Sequence, residues 1–489
     1  MAATIPFRGF TPSVDPTTPG AVLDCKNMVP TLRGMRAAST PSPISTDPFP
    51  DPVTGAATCE LLSGSYRTIV GTAQKLYEVL DATHSDVSGM AYTGGANRWR
   101  FAQFGNATLG VNGAGANPLQ QSVNTGKFGS IAGAPSGSIV EVVQGFVFLL
   151  DTTDETDGHR PNGWFCSGIY NQTIWTPSQA TQCAKGAIID TPGKVTAGRA
   201  LGTNIVVYKK SSMFYGTYQG PPVIWAMNLI SPIVGTPCQE AVVAIGTRHV
   251  FLGSDAQVYS YDGATVTPIG DEVHEWLASN WSKRYRDRVE SYHDKDNELV
   301  YWYFVSGNSS DGMPDTCLVL NYRTGKFGRA DAKIESSVVF ISGQITWDSL
   351  GSLPDVSTWD TLPKIPYNSA FWMQASEIPA IVDTNHRLQS LSGVSEVSSL
   401  TTGWFGDDFE FMYVQGVVPR FASRPTACTG SARMLSSLGG DSEAAPLGDM
   451  YDGELGADFS CRYAQVILNF TGNHEILGAV PRVVSAGSI

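Results

Sequence analysis

Residues 241–270 read AVVAIGTRHVFLGSDAQVYSYDGATVTPIG. Short runs of Val, Ile, Phe and Tyr are split by Gly-Thr, by Gly-Ser-Asp-Ala and by Asp-Gly. β-Branched and aromatic side chains suit a pleated surface, and Gly and Asp supply the backbone angles of tight turns. The stretch therefore predicts four short antiparallel strands in about 30 residues, which is one blade of a β-propeller.

The same texture extends to both sides. Runs of Val, Ile, Tyr and Phe bounded by Gly, Asn and Asp recur at 66–70, 75–80, 98–104, 139–143, 146–150, 163–167, 204–208 and 213–218, and again at 298–305 and 316–321. Only a few turn residues separate many of these pairs, which marks antiparallel hairpins. Looser clusters begin near residues 60, 97, 137 and 195, and a closing one involves 338–342 and 371–392. The expected fold is all-β: a β-propeller of about five to seven blades with an added C-terminal β-sandwich-like domain. A large sandwich or several small barrels is the competing arrangement.

Three regions frame this expectation as 1–54, 55–400 and 401–489. Residues 1–40 read as an extended arm, because Pro6, Pro12, Pro16, Pro19 and Pro30 each remove a backbone donor. Residues 41–54 hold five prolines and read as a stiff linker. Residues 401–489 carry ten acidic and five basic residues, and read as a small β-sandwich with one long loop at 426–456. One helical insertion is expected at 271–290, where Val273, Trp276, Leu277, Trp281, Tyr285 and Val289 recur at helical spacing. Asp271 and Glu272 suit the positive start of such a helix, and Arg286 and Arg288 suit its end. Its tryptophans read as core residues ahead of a ligand platform. Two echoes stand out. WDSL at 347–350 returns as WDTL at 359–362, and TGKFG at 125–129 returns at 324–328. The second reads as a repeated hairpin turn, with Gly supplying the unusual angle and Phe packing after it.

Composition excludes several classes. Among 489 residues only 16% are charged, against 51 Gly and 29 Pro, which argues against long charge-laced helices. The net charge is −13, and the 32 Lys and Arg residues form no long basic run, so tight nucleic-acid binding is not expected. Eight scattered cysteines without a CxxC spacing read as reduced thiols. Residues 1–20 lack the basic and apolar regions of a secretory signal, and no apolar run approaches the roughly 20 residues of a membrane helix, so no membrane insertion is expected.

The search for chemistry returns almost nothing. No GxxxxGK[ST], GxSxG, HExxH or GxGxxG occurs. His274-Glu275 and His474-Glu475 lack a second His one turn on. The acidic stretch DTTDETDGH at 151–159 lacks early calcium ligands and has Trp164 where a closing acid is needed, so it reads as a solvated loop. No pair of carboxylates is singled out for glycosidase work. Four Asn-x-Ser/Thr acceptors carry no weight without a secretion signal. The expectation is no enzyme: no catalytic, cofactor-binding or metal residues, and no cofactor.

A family resemblance enters through longer stretches. FRGFTPSVDPTTPGAVLDCKNMVPTLRGMRA at 7–37 resembles the start of many podovirus tail proteins, with Asn27, Pro30, Gly34, Met35 and Arg36 at the matching turn. FGNATLGVNGAGANP at 104–118, VFLGSDAQVYSYDGATVTPIG at 250–270, WDSLGSLPDVSTWDTLP at 347–363 and CRYAQVILNFTGNHEILGAVPRV at 461–483 are similar to the same group. The resemblance implies a structural tail hub or tail nozzle protein of a short-tailed bacteriophage, of the packaged-DNA-stabilising type. It implies a virion location after assembly in the host bacterial cytoplasm, and a homohexamer. It also implies portal and adaptor proteins, tail fibre or needle proteins, and transient contact with phage DNA during ejection. An acidic channel wall would then let DNA slide without being held. The alternatives are a phage host-surface glycan-binding or depolymerase tail protein and, more remotely, a cellular carbohydrate-binding propeller.

Overall fold

The computed structural model describes residues 5–44, 47–80, 83–95, 97–341 and 377–488. The tryptophan echo at 347–362 and the similar stretch at 347–363 lie outside the described residues. Contacts divide the chain into two units that are discontinuous in sequence, one of Met1–Thr40, Val250–Lys333 and Gly393–Ile489, the other of Pro41–His249 and Ile334–Ser392. This partition differs from the three consecutive regions expected above, because strands from both ends of the sequence pair within one unit.

The second unit is built of four-stranded sheets, four of them sequential antiparallel meanders. The first joins Val53–Glu60, Tyr66–Thr72, Leu76–Leu80 and Thr83–Asp86. The next joins Arg100–Phe104, Ala107–Val111, Gln120–Val123 and Gly129–Ser130. Two more follow, Ser136–Val143 to Ala184–Ala187 and Val195–Leu201 to Ile224–Ser231. A further sheet combines Ile334–Ile341, Glu377–Asp383 and Leu388–Gly393 with the early strand Thr40–Pro43. Part of the expected Pro-rich linker is thus an edge strand, a position where missing proline donors cost no ladder bond. Core clusters lie between successive sheets. Leu109 and Val111 pack with Val140 and Leu149, and Phe148 and Trp164 pack with Val207 and Trp225. Val338, Ala380 and Leu388 of the late sheet pack with Val70, Tyr77 and Val79 of the first. Sheet faces packed in sequence, with the last sheet against the first, are the architecture of a β-propeller.

The blade expected at 241–270 is a four-stranded sheet of Val242–Ile245, Arg248–Leu252, Val258–Tyr261 and Val266–Pro268. Another four-strand run, Val289–Asp294, Leu299–Phe304, Thr316–Asn321 and Phe327–Arg329, opens a larger sheet in the first unit. Both copies of TGKFG turn between the third and fourth strands of such a run, and Phe128 and Phe327 are buried after the turn. Gly325 has φ +72 in the second copy, whereas at the first copy the positive φ falls on Asn124, the residue just before it.

In the first unit the larger sheet continues from Phe327–Arg329 through Met28–Pro30, Met35–Ala37, Glu475–Ser488, Glu410–Ser423, Glu454–Cys461 and Met450–Tyr451. The arm is therefore woven into sheets. Ile5–Pro6 also pairs with Glu475–Ser488, and Val22–Lys26 pairs with Val397–Thr402. Gly34 sits where a Cβ would lie 2.1 Å from the Ile476 carbonyl oxygen, so only glycine permits this approach. A smaller sheet orders Val22–Lys26, Val397–Thr402, Tyr463–Thr471, Ala427–Leu435 and Glu443–Pro446. Val414 and Cys461 of the larger sheet pack with Ala464 and the half-buried Met434 of the smaller, which makes a sandwich. The long loop expected at 426–456 is instead largely strand. Its Gly, Ser and Ala residues hide a nine-residue register from Ala427 opposite Thr471 to Leu435 opposite Tyr463.

The helical insertion is shorter than expected. A 3-10 turn at Asp271–Val273 leads into one helix, His274–Asn280, and residues 281–288 are not helical. Tertiary capture stops the helix. The Ser282 N–H donates to the Val305 carbonyl, Trp281 bridges Ser306, and the Gly307 N–H donates to the Asn280 carbonyl.

Candidate functional site

The buried polar groups of the second unit join one sheet to the next. Arg67 clamps Glu78 through two bonds of 2.9 Å and reaches Ser122 and the Asn124 carbonyl of the following sheet. Arg100 clamps Glu240 at 2.6 and 3.0 Å and donates to the Ser138 carbonyl. Burial pushes the Glu240 carboxyl up, but the Arg100 and Arg98 guanidiniums outweigh it and hold it down at about 2. Glu141 accepts from the Ala200 N–H and pairs with Arg199 at 3.6 Å. Glu335 accepts from the Val53 N–H and meets His386 at 2.7 Å. These are positioning contacts, with no nucleophile beside a base.

His249 belongs to the same set. Its Nε2–H donates to the Ala200 carbonyl and its Nδ1 accepts from the Tyr208 hydroxyl, both at 2.8 Å. Burial holds the imidazole down at about 4, against the opposing pull of the Ala200 carbonyl. The unfolded chain, with an ordinary value near 6.5, then takes up the proton first as pH falls. This contribution is complete above about pH 6.5 and is lost progressively down to about pH 4, by at most about 3 kcal/mol. The stability gap between wild type and His249→Gln, measured by urea unfolding, should narrow across that window. A gap independent of pH would overturn this account.

The acidic stretch at 151–159 is a hairpin rather than an ion cradle. Lys185 Nζ lies 3.1 Å from Asp154 and 2.6 Å from Asp157, Arg160 lies 2.9 Å from Asp157, and His159 lies 2.8 Å from Asp151. Among the described residues no group of three or more His, Cys, Asp or Glu could hold a metal ion. All eight cysteines are free and buried, and burial pushes thiols such as Cys166 and Cys183 up to about 12, which removes their nucleophilic form at neutral pH. No helix among the described residues is long and apolar enough to cross a membrane.

Trp281 is 1% exposed against Phe304, and Trp276 packs between Phe10 and Phe304 with the Arg329 guanidinium over its ring. Both are packing residues. An apolar cleft of about 220 Å³ opens between the two sheets of the first unit, lined by Phe7, Pro19, Trp404, Phe405 and Pro481. No charged side chain lines it.

The surface feature that helical periodicity concealed is the loop at 282–288, SKRYRDR. Lys283, Arg284 and Arg288 are exposed, Tyr285 and Arg286 are half-buried, and Asp287 is the single acid. The Arg284 and Arg288 guanidiniums lie 5.1 and 4.8 Å from the Tyr285 ring centre, and Arg286 lies 4.9 Å over Trp281. Its signal in the sequence was four cations within six residues.

No family model matches the chain, and no curated protein matches it. Among solved structures, BBS1N in complex with ARL6DN is similar at TM-score 0.40 and 8% identity, covering 73% of this chain and 95% of that one. A chain of the mitotic checkpoint complex is similar at TM-score 0.39 and 10% identity, covering 74% and 95%. Apo AztD from Citrobacter koseri is similar at TM-score 0.36 and 9% identity, covering 63% and 82%. Likeness at this level assigns neither function nor partner.

Proposed function

We propose that this chain is a structural, non-enzymatic subunit of a short-tailed bacteriophage tail. In this reading it is a hub or nozzle protein whose homohexameric ring retains packaged DNA and conducts it during ejection. The observation that carries the reading is where the phage-like stretches fall. The N-terminal and C-terminal ones, distant in sequence, meet in one sheet, with Met35 opposite Ile476 and Arg36 opposite Glu475. Thr31 Oγ1 also donates to Glu475 at 2.8 Å. The two stretches that carry the resemblance are thus neighbours in one sheet, which supports reading them together. Sheets locked by Arg67–Glu78 and Arg100–Glu240 suit a wall that must resist internal pressure, and a net charge of −13 suits a conduit that does not grip phosphates.

Electron microscopy of purified virions or tails containing this chain tests the proposal. The expected result is a ring of this subunit around the DNA path below the portal and adaptor. Finding the chain only on peripheral fibres or spikes would overturn it and favour the glycan-binding or depolymerase reading.

A further inference from the structure

We propose that the loop at 282–288 is a contact site for the phosphate backbone of nucleic acid. This deepens the conduit reading by naming residues that touch the passing polymer. The loop exists because the helix stops at Asn280, which moves Lys283, Arg284, Arg286 and Arg288 off a helix face and onto one short segment, where Arg286 is half-buried and the other three are exposed. Two arginines anchor it. Arg286 donates to the Ser254 carbonyl at 2.7 Å and Arg288 to the Gly312 carbonyl at 2.9 Å. These are neutral acceptors, so the positive charge of the loop is not cancelled by them.

Several other cations of this unit are paired with carboxylates. Arg323 pairs with Glu298, Arg329 with Asp24 and Asp331, Lys333 with Asp311, and Arg482 with Glu454. None of the four cations of the loop forms an ion pair among the described residues; the acids near them are Asp287 within the segment and Asp255, whose charge acts on Arg286. Tyr285, flanked by two guanidiniums, holds them over an aromatic face and restricts their rotamers, so less freedom is lost when a ligand binds. A row of guanidinium and ammonium donors suits the closely spaced phosphates of a nucleic acid, which release counterions on contact.

The rest of the chain opposes tight binding. With −13 overall, long-range attraction is absent, and the contact is short-range and salt-labile. Three phosphates neutralised by the exposed Lys283, Arg284 and Arg288 predict a slope of log affinity against log salt of about −3. Such a contact steadies a moving polymer without arresting it.

The test is anisotropy of a labelled duplex of about 30 base pairs, titrated with the isolated full chain between about 20 and 200 mM salt. Wild type should bind at low salt and lose affinity along that slope. Lys283→Glu with Arg284→Glu should weaken low-salt binding by at least about tenfold and flatten the slope by about 2. The control Lys127→Glu with Lys194→Glu makes the same change in net charge at exposed lysines elsewhere, and should change binding little. Lys283→Gln with Arg284→Gln keeps the test valid should charge reversal disturb folding, as read by circular dichroism. Three results would overturn the proposal: no binding at low salt, equal loss in the control, or equal binding of polyglutamate, which would reassign the loop to an acidic protein surface. Each leaves the ring reading standing, since that rests on the tail reconstruction.

Discussion

Replacing Arg67 with alanine is expected to destabilise the propeller unit by about 3–5 kcal/mol, because it strands a buried carboxylate without its counter-charge. The Arg67 and Glu78 side chains are 1% and 8% exposed. Each Glu78 oxygen accepts one bond from the guanidinium, and the remaining donors cross to Ser122 and Asn124 in the next sheet. The substitution removes the clasp within one sheet and the tie to its neighbour at once. Paired replacement by Arg67→Met and Glu78→Leu should be far milder, since it leaves no charge behind. Urea unfolding of the single and paired variants reads the difference. A single variant within about 1 kcal/mol of wild type would show that water reaches Glu78 and that the clasp contributes little.

Deleting residues 1–20 is expected to abolish cooperative folding of the unit that contains them, a larger effect than any single substitution here. Phe7 is 2% exposed and Phe10 is 0%. Truncation of one buried phenylalanine costs about 3–5 kcal/mol, and two lie in this segment. The backbone is also committed. The Phe7 N–H donates to the Leu477 carbonyl, the Phe10 N–H to the Phe327 carbonyl, and the Ser13 N–H to the Glu272 carbonyl. An arm that merely lay along the surface would leave the remaining chain folded. Hydrogen exchange on the truncated chain distinguishes the two cases. Loss of protection at Leu299–Phe304 and Glu475–Ser488 is expected, and wild-type protection in both strands would refute the structural role.

How much of this was legible beforehand depended on where the pairing partner lay. The strands at 66–70, 204–208 and 316–321 were readable because each sits beside its partner across a short turn, and its own Val, Ile and Tyr content reports its burial. The repeated TGKFG was readable as a turn for the same reason, although at one copy the preceding Asn124 takes the unusual backbone angle. Residues 426–456 were misread as a loop because small side chains can fill a strand whose partner supplies the bulk, as Ala432 does opposite Val466. The candidate site was the least legible part. Trp276, Trp281, Tyr285 and Val289 keep helical spacing through 271–290, so the cations among them looked like the polar face of a helix.

The sequence by itself determined that the chain is all-β, that its strands are short and antiparallel, and that no phosphate-cradle, nucleophile-elbow or zinc-protease motif is present. These follow from local chemistry, because turn residues and period-two patterns act over a handful of positions. Only the tertiary structure decided that the Pro-rich arm is a set of sheet strands, that Thr40–Pro43 completes a sheet begun at Ile334, and that the helix ends at Asn280. In each case the deciding hydrogen bonds go to residues that local propensity cannot see. The Met28–Pro30 strand finds Arg329, Met35 finds Ile476, and Ser282 finds Val305. A backbone donor takes the acceptor that burial places before it, and that acceptor can stand several hundred residues away.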